Sequence, residues 1–178
     1  GGRGVGRGGG RGGWGGSRAP CERVCVALRV VRATVGSLPR IASVVLSKKL
    51  AGGGQCLGLD VKCGSGAFMK TEADGRALAE TMVSIGAACG RNMAALITNM
   101  DLPLGRNIGN ALEVMEAVAV LRGQDGPLRT LCTALSAQML SLCRGWSEAE
   151  AMARVAEAID SGRAFATLAA WVPDPGGG

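Results

Sequence analysis

Asp60 and Lys62 stand on either side of Val61 at the end of a short apolar run, and Gly64-Ser65-Gly66 follows directly. A carboxylate and an ammonium at a strand end either reach a ligand or pair with each other. A glycine-rich turn beside them can bring backbone N–H groups close to an anion. The triplet lacks the spacing of a nucleotide-binding fingerprint, so on its own it is read as a turn. Lys48 and Lys49 fall in the last turn of a helix-like stretch, where cations complement the helix dipole. Glu113 and Glu116 share a helical face, and the ordinary reading of such a pair is solvated surface charge. The chain holds no histidine, which excludes imidazole within it as base, acid or metal ligand.

The elements that must position these groups can be read locally. Cys56, Leu57, Leu59 and Val61 make an apolar run between Gly52–Gly54 and the Gly64/Gly66 loop, and predict a strand buried on both faces. Thr71 and Asp74 fit a capping box that starts a helix, with Leu78, Met82, Ile85 and Cys89 as its apolar face and Gly90 as its stop. Ala94 to Thr98 predicts a second buried strand. A strand–helix–strand of this length implies parallel strands joined by a crossover. Ligands of such sheets collect at the carboxyl ends of the strands, here Asp60 to Phe68 and Thr98 to Asn107.

Helices flank this unit. Cys21, Val24, Cys25 and Leu28 predict a short one over 21–31. Ser37 is expected to cap a second, with Pro39 in its first turn and Ile41, Val44 and Val45 as its buried stripe. Downstream, Leu112, Met115, Ala119 and Leu121 predict a helix stopping near Gly123, and 128–143 is apolar enough to be buried. Ser147 and Glu150 cap a helix with core residues Met152, Val155, Ala156 and Ile159, and a last helix spans about 163 to 171.

The length of 178 residues fits one domain, or one and a fragment. The net charge is +6, but Arg3, Arg7, Arg11 and Arg18 lie in a tail without acids; without them 16 basic residues face 14 acidic ones. The body therefore gives no reason to expect a nucleic-acid partner. Residues 1–19 are rich in glycine and predict a disordered Gly/Arg tail, in which Trp14 is the one aromatic side chain able to stack on a base. Seven scattered cysteines lack paired CxxC spacing, so small buried hydrophobes in a reducing cytosol are expected rather than a disulfide framework or zinc site. No apolar run is long enough to span a membrane, no signal peptide precedes the body, and a cytoplasmic location is the expectation.

The phrases SKKLA, LDVKCGSGAFMKT, ALITNMDLPLG and IGNALEV, in that order, resemble the thymidine phosphorylase and pyrimidine-nucleoside phosphorylase family. The resemblance extends over roughly Ala27 to Ala170. It implies an α/β fold: a βαβ-containing central portion of the pyrimidine phosphorylase fold with flanking helices. Residues 20–51 would belong to the family's helical domain, 52–172 to a partial α/β domain, and 173–178 to a disordered end. It implies that Arg29 and Lys48 hold the pyrimidine base and that Phe68 lines the pocket wall. A planar donor fork and a point cation suit a ring bearing carbonyl oxygens. The family's serine position is occupied by Val44, with Ser43 beside it, and its aspartate after the arginine is Val30. No cofactor is required; a structural potassium ion would be held by main-chain oxygens of Leu104 and Asn107 and by Glu116, which is hard-oxygen chemistry.

The activity implied is phosphorolysis of thymidine or a related pyrimidine nucleoside to free base and deoxyribose 1-phosphate, in pyrimidine salvage, by a homodimer. The family's Lys-His-Ser-Thr-Gly-Gly phosphate loop has no counterpart in these 178 residues, so an incomplete and inactive portion is expected. The alternative is a noncatalytic protein- or RNA-binding module derived from the same fold.

Overall fold

The computed structural model describes residues 37–172. The helix predicted over 21–31, the Gly/Arg tail, Arg29 and the end expected over 173–178 lie outside them. Within them the order is α1 (Leu38–Ala51), β1 (Cys56–Cys63), α2 (Glu72–Ala88), β2 (Asn92–Asn99), α3 (Asn110–Leu121), α4 (Pro127–Arg144), α5 (Glu148–Asp160) and α6 (Arg163–Trp171). The fold is α/β, with a parallel two-stranded sheet among the described residues.

β1 and β2 pair in parallel from Cys56 opposite Asn92 to Cys63 opposite Asn99. This fixes the βαβ unit, because the side-chain period of two assigns each face of the sheet once the register is set. Leu59, Val61 and Cys63 point into the core with Leu78, Ala79 and Met82 of α2, Ala42 and Leu46 of α1, and Met69. Each large aliphatic side chain buried there contributes roughly 1.5–3 kcal/mol. The opposite face carries Gly58, Asp60 and Lys62 and is covered only in part by α4. β1 is therefore buried on one face, not two, and β2 is half-buried along its length.

Several expected core stripes shift by a residue or more. In α1 the fully buried residues are Ala42 and Leu46, with Ile41 and Val45 at their flanks and Val44 half-buried. Ser37 precedes α1 without a side-chain cap, whereas Thr71 accepts a hydrogen bond from the Asp74 N–H at 3.1 Å as expected. The Thr71 hydroxyl also donates to the Asp74 carboxylate at 2.8 Å. Cys89 caps α2 exposed rather than joining its apolar face.

On α3 the side chains that face inward are Glu116 and Val120, while Leu112 and Met115 lie on the outside. The apolar residues of α3 surround its axis, so its periodicity does not select a face. α4 buries only Thr133 and Ala137, and in α5 Ala151 replaces Met152 inside. α5 is tied to α4 by Arg129, whose guanidinium donates to Asp160 at 2.7 Å and to the Gly123 carbonyl at 2.8 Å.

Candidate substrate site

The loops after β1 and β2 meet because parallel strands end on the same side of the sheet. The Met100 N–H donates to the Cys63 carbonyl at 2.6 Å, which carries the ladder one step past the strands. Residues 64–69 then close on themselves: Gly64 N–H donates to the Met69 carbonyl and Ala67 N–H to the Gly64 carbonyl, both at 3.0 Å. Asp101 locks this turn from the second loop. Its carboxylate accepts from the Ser65 N–H at 2.6 Å, while its own N–H donates to Asn99 Oδ1 at 2.8 Å. Lys70 braces the turn from the other side through the Ser65 carbonyl at 2.7 Å.

Asp60 and Lys62 pair with each other at 2.8 Å, and the Thr98 hydroxyl donates to Asp60 at 2.5 Å. Of the two readings open in the sequence, pairing is the one present. Cys132 of α4 lies close enough to feel both charges, but burial dominates and pushes its thiol up.

Two recesses open at this end of the sheet. One, of about 340 Å³, is apolar: Ile41 and Val45 of α1 face Phe68, Met69 and Met100 across it. Phe68 is 75% exposed, an unusual position for an aromatic ring unless something covers it. The other, of about 670 Å³, is polar and runs along β2 past Lys70, Arg76, Thr98, Asn99 and Asp101. Arg76 in its wall is paired with Glu72 at 2.8 Å. The structure thus brings Phe68 and α1 together. Lys48, Val44 and Ser43 lie on α1 outside the lining of the apolar recess, with Lys48 and Ser43 exposed.

Glu116 departs most from its expectation as a solvated charge. It is 7% exposed and accepts from the Arg106 N–H at 2.9 and 3.0 Å and from the Asn107 N–H at 2.9 Å. A Cβ on Gly105 would stand 2.4 Å from its Oε2, so the loop approaches the carboxylate as closely as only glycine allows. Glu113 is engaged too, accepting from the Gly109 N–H at 3.1 Å at the start of α3. Loop 104–107 is therefore folded around Glu116. Among the described residues no three His, Cys, Asp or Glu side chains converge as a metal cluster, so the side-chain contribution to a cation here would be Glu116 alone.

Both loop carboxylates are held below their ordinary pKa. For Asp101 the chief cause is the Ser65 N–H, then the Ser65 hydroxyl; for Glu116 it is the Arg106 N–H, then that of Asn107. A carboxyl with a depressed folded pKa stabilises above its unfolded value, and that contribution is lost as pH falls through the folded value. The Ser65, Arg106 and Asn107 amides are therefore expected to keep their hydrogen-exchange protection at pH 5 to 7 and to lose it below about pH 4. Asp101→Asn and Glu116→Gln should lower protection already at neutral pH and flatten this acid limb; an unchanged acid limb in both variants would refute the assignment.

Asp101 and the inward turn of Glu116 were not legible as clamps. The one local signal was an aspartate two residues after a strand-end asparagine, an arrangement that favours an Asx turn.

The family described as "Glycosyl transferase family, a/b domain" matches residues 16–165. This match begins upstream of Ala27 and takes in the last residues of the segment expected as a tail. The chain is similar to the pyrimidine-nucleoside phosphorylase of Staphylococcus aureus strain bovine RF122 / ET3-1, with 48% identity over 165 residues. It is 47% identical over 165 residues to proteins of the same name in strains USA300 and NCTC 8325 / PS 47. Each alignment covers 91% of this chain and 38% of the relative, so the chain spans under two-fifths of the length of these curated relatives.

Proposed function

The chain belongs to the glycosyl transferase family matched over residues 16–165, and from that premise we propose that it is the base-binding portion of a pyrimidine-nucleoside phosphorylase. The observation that supports this reading most is the apolar recess between α1 and Phe68, within a segment nearly half identical to proteins of that name. The reaction is attack of phosphate on C1′ of the nucleoside, with the pyrimidine leaving and pentose 1-phosphate formed. Its demands are positioning of two reactants and stabilisation of charge on the departing base.

In this reading Phe68 covers one side of the ring, Lys48 and Arg29 donate to its carbonyl oxygens, and Val44 leaves unmade the hydrogen bond that a serine would give. A monovalent cation at the Leu104 and Asn107 carbonyls and Glu116 belongs to the same proposal. The donor set fits in kind, because the amides around Glu116 keep it ionised and all three contributors are hard oxygens. Its chemistry would be structural, fixing loop 104–107.

Among the described residues no helix is long and apolar enough to cross a membrane. The expected homodimer is part of the proposal and is checked by sedimentation.

Titration of the purified chain with thymine and with phosphate, beside a phosphorolysis assay on thymidine, tests the reading. Thymine is expected to bind, whereas phosphate binding and turnover are not expected from these 178 residues by themselves. Arg29→Ala and Lys48→Ala should each weaken thymine binding about tenfold, the scale of losing one charge-assisted hydrogen bond. Equal affinity in both variants would contradict the site, and turnover by the chain alone would contradict the expectation that these residues lack the phosphate site.

A further inference from the structure

Among the described residues, only Cys63 of five cysteines is buried; Cys56 is half-buried, and Cys89, Cys132 and Cys143 are exposed. The expectation of small buried thiols therefore fails for most of them, because Cys89 stands past the last residue of α2 and α4 covers its side of the sheet only in part. Two of these thiols are neighbours although 87 positions separate them in sequence, as the numbers 56 and 143 give. The Cys56 thiol, at the start of β1, donates to the carbonyl of Leu142 at 3.4 Å, and Leu142 is bonded to Cys143. Cys143 therefore lies beside Cys56 in space, at the end of α4 where it meets the start of β1. The helix approaches the strand closely here: a Cβ on Gly58 would lie 3.0 Å from Cγ of Met139.

We propose that Cys56 and Cys143 are a disulfide-forming pair, oxidised by a low-molecular-weight disulfide such as oxidised glutathione, and that the bond staples the start of β1 to the end of α4. Exposed Cys143 meets the oxidant first. Its thiolate, after giving its proton to solvent, attacks one sulfur of glutathione disulfide and expels one glutathione thiolate. The Cys56 thiolate, likewise deprotonated, then attacks the Cys143 sulfur of the mixed disulfide and expels the second. Two protein thiols are oxidised and one glutathione disulfide is reduced to two thiols. Cys143 has its thiol pKa raised, first by the hydrogen bond to Cys56 and then by burial, which agrees with a pair in contact.

The test is incubation of the whole chain with oxidised glutathione, alkylation of remaining thiols, and non-reducing peptide mapping. The expected result is a Cys56–Cys143 linked peptide within one chain, absent from Cys143→Ser and Cys56→Ser. Cys89 and Cys132 should carry single glutathione adducts or remain free. The linked form should also unfold at higher urea than the reduced form, and the difference should vanish in Cys143→Ser. Separate adducts on Cys56 and Cys143, linkage of either to Cys21, Cys25, Cys89 or Cys132, or linkage between chains in a mixture of labelled and unlabelled protein would overturn the proposal.

Discussion

Gly75→Val is expected to lower the unfolding free energy by about 3 kcal/mol, the upper end of the cost of over-packing a filled core. Gly75 lies in the first half of α2 and is itself buried where the helix crosses β1. A Cβ there would stand 2.0 Å from Sγ of Cys63 and 3.6 Å from Cγ2 of Ile97. Cys63 is 8% exposed, so its sulfur has little free space to turn into. Gly75→Ala isolates the contact: the helix gains about 1 kcal/mol of propensity from alanine, yet the clash should leave the variant less stable than the parent.

In a Cys63→Ala background the same substitution should become neutral or stabilising, because the sulfur it strikes is gone. Urea denaturation of the four proteins of the cycle measures the coupling, expected at about 1–2 kcal/mol. Additive effects would mean that the helix does not approach the strand at this point.

Gly64→Ala is expected to cost about 2–3 kcal/mol and to open the loop after β1. Two causes act together. Gly64 has a φ of +134°, a conformation that strains an L residue by roughly 1–3 kcal/mol. Its added Cβ would also meet Oδ1 of Asp101 at 2.7 Å and the Asp101 N at 3.0 Å. Relief requires Asp101 to withdraw, which breaks its bond to the Ser65 N–H. Hydrogen exchange should then show the Ser65 amide losing protection at least about tenfold, while the central amides of β1 and α2 stay protected. Thymine affinity should fall in the same variant, since Gly66 to Met69 line the apolar recess. Retained protection at Ser65 would show that the loop does not depend on this clamp.

The βαβ unit and the position of the loops were legible because their signals are local. Thr71 beside Asp74, Ser147 beside Glu150, and the apolar runs around Leu59 and Ile97 each fix one element within a few residues. The four phrases from Ser47 to Val114 were enough to identify the family. The site was only half legible. Phe68 lines a recess with α1, but its exposure and the sharing of that recess with Ile41 and Val45 follow from how α1 docks on the sheet, which spacing within α1 does not encode.

The sequence by itself determined element type, element order, parallel pairing and family membership, since helix caps, periodicity and glycine breaks act over one or two turns of chain. Only the tertiary structure decided which side of each element is inside: Ala42 and Leu46 instead of Val44, Ala151 instead of Met152, Glu116 instead of Leu112. It also decided that Asp101 clamps Ser65 across 36 residues, that Gly75 must lack a side chain, and that Cys56 meets the end of α4 at Leu142. The physical reason is that burial and hydrogen-bond partners are set by surfaces brought together from distant parts of the chain. A local pattern with several apolar faces, as in α3, leaves that choice to packing.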